Sequence, residues 1–488
     1  MDGGSDVETY EGKQKSKNGI KRLIFSVLSI LLQVVFLVLI FTRLNEYASI
    51  IDWTTRVLAI LLVLFIYSQN QTATMKVPWI ILILAFPILG VALYFLVGLN
   101  GGTKKMKRRY DKVDEKLFKY LGEGVKNPDG RGISEYIHKY SGYPVYENTE
   151  VKYFNEAIKG LDSQLHDLAL AKDFIFMEYH AIEDKEAWQK IQTVLEERVK
   201  AGVEVRVFNP LMPGLNMFFN NRDHRKITVI DGKIGYTGGY NLANEYFNFT
   251  HPYGEWKDTG IRICGQAVRS LTVSFLEMWN ASSKEERDSE ENLAFYLKNR
   301  NYPENCAGYI QPYADSPLDG EQVGEEVYIS MVNKAERYCY FMTPYLIITD
   351  EFAHALSLAS KRGVDVRIVT PGIPDKKPIY SVTRSFYNVL AENGVRIFEW
   401  TPGFCHAKMS VADDRLATCG TINLDYRSLY HHFENGCFMT DVPAVLSIKE
   451  DFDETFKQCR EVTEKYSVKW SAPHRLSQMI MRLFAQLL

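Results

Sequence analysis

Apolar residues lie along this chain in two patterns. In the first hundred residues they form long unbroken runs. Residues 23–42 are twenty positions without a charge and with one Gln, and 77–99 are twenty-three without a charge; each run is long enough to cross about 30 Å of hydrocarbon as a helix. Between them 57–67 is strongly apolar, and extending it back to Tyr47 reaches spanning length by including Asp52 and Arg56. The pattern predicts transmembrane helices over 23–42, 47–67 and 77–99. A basic N-terminus, cytosolic or disordered, covers 1–22, and a basic juxtamembrane linker covers 100–135. The first run is too long for a signal-peptide core and no small-residue cleavage site follows it, which argues against a removed leader.

After Lys112 the runs shorten to four to eight residues, rich in β-branched and aromatic side chains and alternating with helical periodicity, which reads as α/β. This part repeats itself. Lys200-Ala-Gly-Val-Glu-Val-Arg-Val207 recurs as Lys361-Arg-Gly-Val-Asp-Val-Arg-Ile368, each a helix end, a Gly stop and a strand. Downstream come His224-x-Lys226-x4-Asp231 and His406-x-Lys408-x4-Asp413, with Asn241 and Asn423 each seventeen residues after their His. Chance gives roughly 0.03 such triplets per chain, so two in register mark a duplication. The expected fold is two similar α/β halves, 136–300 and 301–488, with pseudo-twofold symmetry around one site. Residues 282–292, rich in Ser, Lys and Glu, read as a solvated connection. At the far end Leu476, Met479, Ile480, Leu483, Phe484 and Leu487 follow helical spacing, a stripe suited to core packing, to a contact with a second copy of the chain, or to a membrane surface.

Charge changes this picture once it is divided. The whole chain has 57 basic and 60 acidic residues, but 1–112 holds 14 and 7 of them, leaving 43 and 53 for the remainder. An acidic catalytic part argues against a nucleic-acid partner. Basic clusters flank the apolar runs at both ends, and the denser one, Lys104 to Lys112, favours a cytosolic catalytic part beside anionic headgroups. Seven cysteines without a CxxC pair read as reduced thiols.

On a strand, His224 and Lys226 face one way and Arg225 the other. Two such pairs in one cleft would join two imidazoles, two ammoniums and two amides. That set suits phosphoryl transfer: the lysines with Asn241 and Asn423 bind the non-bridging oxygens, one His attacks phosphorus and the other protonates the leaving oxygen. Asp231 and Asp413 belong to the catalytic motif in supporting roles, fixing loops. The attacking His must be neutral and its partner protonated, so unequal acidic neighbours are expected, Glu434 being one candidate. No cofactor is required and no metal site is expected, because no His, Cys or carboxylate set has ligand spacing.

These motifs resemble the phospholipase D superfamily, whose HxKxxxxD signature occurs twice around one active site. Asn221-Arg-Asp-His-Arg-Lys, Thr401-Pro-Gly-Phe-Cys-His-Ala-Lys, Gly420-Thr-Ile-Asn-Leu-Asp-Tyr-Arg-Ser428, Tyr313-Ala-Asp-Ser-Pro-Leu-Asp319 and Thr343-Pro-Tyr-Leu346 look like the bacterial cardiolipin synthases in particular. The resemblance implies a multi-pass protein of the bacterial cell membrane. It implies transfer of a phosphatidyl group from one phosphatidylglycerol to another through a phosphohistidine, with glycerol released; a hydrolase or a transphosphatidylase using another alcohol would employ the same residues. His224 is then the nucleophile, His406 the acid/base, and Glu434 joins Asn241 and Asn423 among the substrate-binding positions. Glu178 resembles a family position near the cleft. The chain departs from the family pattern at Cys405 and at His431-His432, which read as packing or hydrogen-bonding groups.

Overall fold

The computed structural model describes residues 28, 31, 32, 34, 35, 48–69, 72–95, 103–208, 222–283, 287–467 and 482. The first half of the α/β part contributes β1 (Thr149–Phe154), β2 (Phe174–Tyr179), β3 (Glu204–Phe208), β4 (Arg222–Asp223), β5 (Lys226–Ile230), β6 (Ile234–Gly238), β7 (Glu255–Lys257) and β8 (Gly260–Gly265). Six of these form one sheet in the order β1-β8-β6-β5-β2-β3. All six residues of β2 are buried, as expected of a strand whose apolar run leaves neither face for water. Helix Val268–Ala281, buried along most of its length, covers part of this sheet.

The second half supplies β9 (Tyr309–Asp315), β10 (Tyr338–Met342), β11 (Leu346–Ile347), β12 (Asp365–Pro371), β13 (Arg396–Trp400), β14 (Gly403–Cys405), β15 (Met409–Ala412), β16 (Leu416–Gly420), β17 (Leu424–Asp425), β18 (His432–Thr440) and β19 (Cys459–Glu461). Its strand order β12-β10-β15-β16-β18-β9 repeats β3-β2-β5-β6-β8-β1. The senses repeat as well: β2 is parallel to β3 and β10 to β12, while the strands bearing the lysine motifs are antiparallel to β2 and β10. Helices Glu186–Lys200 and Asp350–Lys361 join the parallel strands, and each is followed by a glycine at positive φ, Gly202 at 88° and Gly363 at 95°, a backbone state that stops the helix and that a side chain would strain.

Two short parallel ladders stitch the halves together. β4 pairs with the start of β18, Arg222 opposite His432, and β14 pairs with β7, Gly403 opposite Glu255. One buried apolar cluster runs through both halves, including Phe176, Ile227 and Phe275 with Met342, Met409 and Val411.

The N-terminal expectation is corrected. Among the described residues no helix is long and apolar enough to cross a membrane. The run at 47–67 is helix Ala48–Ser68, which carries the Asp52–Arg56 ion pair. The run at 77–99 breaks at Phe86 into Ala73–Ala85 and Pro87–Leu93, because Pro87 has no N–H to continue the ladder. These pieces pack on one another through Ala59, Leu62, Ile66, Ile83, Val91 and Tyr94. The span expected at 23–42 and the stripe from Leu476 to Leu487 lie outside the described residues.

Two further segments gain detail. Within 282–292, Arg287 and residues 289–292 are exposed, while Asp288 is buried and accepts both guanidinium N–H groups of Arg206 at 2.8 and 2.9 Å, so the solvated connection is anchored at one point. The linker contains helix Thr103–Leu117, whose Tyr110 ring stacks on Phe433 with centroids 5.2 Å apart.

The seam tolerates little. A Cβ on Gly403 would stand 1.9 Å from the Glu255 carbonyl oxygen, and backbone on both sides leaves no side chain to yield. Gly403→Ala is expected to cost about 1–3 kcal/mol and to lower the thermal midpoint and turnover together; an unchanged midpoint with unchanged turnover contradicts this reading of the seam.

Candidate active site

Each ladder delivers a histidine. The His224 N–H donates to the Phe433 carbonyl at 2.9 Å and the His406 N–H to the Lys257 carbonyl at 2.7 Å, so both imidazoles leave their own half at the point where it touches the other. Their carboxylate partners are crossed. His224 Nδ1 lies 2.9 Å from Glu434 Oε1, and His406 Nδ1 lies 2.7 Å from Asp258 Oδ2. Both carboxylates are completely buried. Lys226 Nζ donates to the His224 carbonyl at 2.6 Å, and Lys408 Nζ sits 2.9 Å from His406 Nε2.

The two sets form one centre. The Lys226 N–H faces Asn435 Oδ1 at 3.4 Å, Asn435 donates to Thr237 at 2.8 Å, and Thr421 donates to Glu434. The Lys408 charge also acts on His224. Burial first, then the Lys226 ammonium, holds the His224 pKa well below the usual imidazole value. Burial pushes the Glu434 carboxyl up to about 8 against the pull of Lys226. Both shifts have the same first cause, burial, which disfavours charge on either group; His224 is held neutral, and a ring proton on Nδ1 facing Glu434 leaves the Nε2 lone pair free. Aromatic rings surround His406, with Tyr246 at 5.2 Å and Trp256 at 5.4 Å, whereas imidazoles flank His224, with His180 at 5.0 Å and His432 at 5.4 Å.

The remaining motif residues occupy less direct positions. Asp231, at φ 53°, accepts the N–H groups of Lys172, Asp173 and Phe174 at 2.7–2.9 Å, and Asp413, at φ 54°, accepts those of Glu336, Arg337 and Tyr338 at 2.7–3.0 Å. Each aspartate therefore ties the far end of its hairpin to the start of β2 or β10, away from the imidazoles. Asn241 accepts from the Ala181 N–H at 3.2 Å and donates to the Tyr246 hydroxyl at 2.9 Å. Asn423 is buried and its Oδ1 has no hydrogen-bond partner among the described residues. Glu434, expected as an acidic neighbour of one imidazole and among the substrate-binding positions, lies on His224.

Arg225 points away from the cleft, as its alternation requires. It is 1% exposed and bonds Glu178 Oε1 at 2.9 Å, Ser274 Oγ at 2.9 Å and Asp223 Oδ1 at 3.3 Å. Glu178 thus backs the strand that carries His224 rather than lining the cleft. Burial raises its carboxyl well above the usual range, while three acidic side chains, Glu178, Asp223 and Glu277, act on this one guanidinium.

Asp258 and His180 were missed from the sequence. Asp258 stands in an unremarkable Lys-Asp-Thr stretch; the only available signal was its place just before β8, which parallels Glu434 inside β18. His180 has no counterpart in the repeat, where Pro344 follows Thr343. Among the described residues, His224, His432 and Glu434 also form a group that could hold a metal ion, their donor atoms lying within 4.8 Å of one another.

The family described as "Cardiolipin synthase, PLD-like domain" matches residues 328–458, and "Phospholipase_D-nuclease N-terminal" matches 57–98. An uncharacterized protein of Streptococcus mutans is 39% identical over 87% of this chain and 99% of its own length. The cardiolipin synthase of Clostridium perfringens is 30% identical over 84% of this chain and 93% of its own. Among solved structures, the phosphatidylserine synthase of Haemophilus influenzae superposes with a TM-score of 0.53 over 74% of this chain and 98% of that one, at 14% identity, and so shares the fold. Identity at this level, sustained over nearly the whole length of a cardiolipin synthase, shows that the chain belongs to the cardiolipin synthase family.

Proposed function

We propose that the chain makes cardiolipin from two phosphatidylglycerol molecules through a phosphohistidine on His224. The observation that carries this reading is the crossed pairing, which leaves two oriented imidazoles and two ammoniums at one seam, with His224 buried and neutral. With Nδ1 held by Glu434, Nε2 is the nitrogen for attack on phosphorus. The bond from phosphorus to the departing glycerol breaks, and His406 gives that oxygen its proton. A second phosphatidylglycerol then offers its free hydroxyl; His406 takes the proton back, oxygen attacks phosphorus and the P–N bond breaks. Lys226 and Lys408 neutralise the charge that builds on the non-bridging oxygens, and the Asn423 amide NH2 is the proposed further donor to them. Asp258 keeps His406 oriented through both proton transfers.

The equal strand orders support two halves, 136–300 and 301–488, related by an approximate twofold at this centre. Membrane association through the N-terminal part suits a lipid substrate. Helix Thr103–Leu117 adds exposed Lys105, Arg108 and Lys112 on one face, suited to anionic headgroups, each charge contributing about 1 kcal/mol near such a surface, which favours a catalytic part on the cytosolic side.

Two measurements test this function. Full-length protein supplied only with phosphatidylglycerol is expected to yield cardiolipin and glycerol; phosphatidic acid and glycerol without cardiolipin overturns the transferase reading in favour of a hydrolase. The second is a pH profile of kcat/KM. An imidazole with a lowered pKa stays neutral to lower pH, so the acid limb is expected below pH 6.5, the ordinary value for histidine; a limb at or above that value contradicts His224 as the attacking group.

A further inference from the structure

His432 opens β18, and no step of the proposed reaction uses it. Its side chain is nine-tenths buried, yet its Nδ1 has no hydrogen-bond partner among the described residues. That nitrogen lies 3.6 Å from Glu434 Oε1, the same oxygen that stands 2.9 Å from His224 Nδ1. A buried, unsatisfied nitrogen is costly unless something occupies it.

We propose that His224, His432 and Glu434 form an inhibitory site for a zinc-class ion, with two imidazole nitrogens and one carboxylate oxygen as ligands. All three donors lie within 4.8 Å of one another, and tetrahedral zinc with bonds of about 2.0–2.2 Å spaces its ligands about 3.3 Å apart, so closure needs only small side-chain shifts. Nitrogen donors select zinc over magnesium or calcium, which want oxygen. The Lys226 ammonium opposes any cation here, and this weighs most against hard ions held by charge alone.

The pseudo-equivalent place is not a site. Two residues before Asp258 stands Trp256, where His432 stands two before Glu434, so the His406 pair lacks a third donor. Binding at the His224 pair would also silence it. Zinc on Nδ1 leaves the ring's one proton on Nε2, the nitrogen that must attack, and displaces the hydrogen bond to Glu434; any proton on that carboxyl is released to solvent. This last consequence rests on the proposed role of His224, whereas the site itself does not.

The test uses chelator-stripped full-length protein in phosphatidylglycerol mixed micelles, titrated with zinc, bound metal being measured by equilibrium dialysis beside turnover. Wild-type protein is expected to bind one zinc and to lose turnover in step, while magnesium does neither. His432→Leu and His432→Asn should each weaken zinc binding at least about tenfold, with an unchanged thermal midpoint as proof of folding, and shift the zinc concentration that halves each variant's own metal-free turnover by the same factor. Equal zinc affinity in wild-type and both variants overturns the site, and full turnover of zinc-saturated wild-type overturns its inhibitory role. Product formation by the metal-free protein is scored separately and tests the transferase reading alone.

Discussion

The rest of the structure depends on two buried hydrogen bonds that cross from one half to the other. Glu434 holds His224 from 210 residues downstream, and Asp258 holds His406 from 148 residues upstream. Neither carboxylate touches water, and a buried acid without its partner is costly by several kcal/mol. Docking the halves and orienting the imidazoles are therefore one event. The β4–β18 and β7–β14 ladders set the register, since each histidine N–H continues a ladder that ends at the partner acid or next to it.

The strand order repeats, but the surroundings of the two histidines differ. Arg225 in the first triplet faces a buried cluster of acids, while Ala407 occupies the same place in the second. Imidazoles flank His224, and Tyr246, Trp256 and Phe404 surround His406. Such unequal surroundings suit the proposed division of labour, in which one imidazole attacks and the other moves a proton. Tyr110, stacked on Phe433 next to Glu434, links this asymmetry to the basic helix at the N-terminal side.

Much of the site was legible because its motifs are local. The His-x-Lys spacing keeps both groups together on the short segments that lead into β5 and β15, and Asp231 and Asp413 fall at hairpin ends where a positive φ and three backbone N–H groups fix their role. The crossed acids were not legible in the same way. Glu434 was recognisable as an acidic neighbour but read as a substrate ligand, and Asp258 carries no local signature, because the contact that gives it meaning forms only across the seam. The apolar runs misled for a related reason. Counting uncharged residues registers hydrophobicity but not the break that Pro87 imposes after Phe86, nor the ion pair within Ala48–Ser68.

The central claim is that one of the two imidazoles, His224, carries the phosphatidyl group between donor and acceptor. It is tested most directly by turning the enzyme over on phosphatidylglycerol labelled in its phosphate, quenching in alkali, where phosphohistidine survives, and mapping the labelled peptide. Label on the peptide containing His224, and lost on addition of unlabelled phosphatidylglycerol before the quench, is the predicted result. Label on the His406 peptide, or cardiolipin formed at full rate with no labelled protein, would contradict the account.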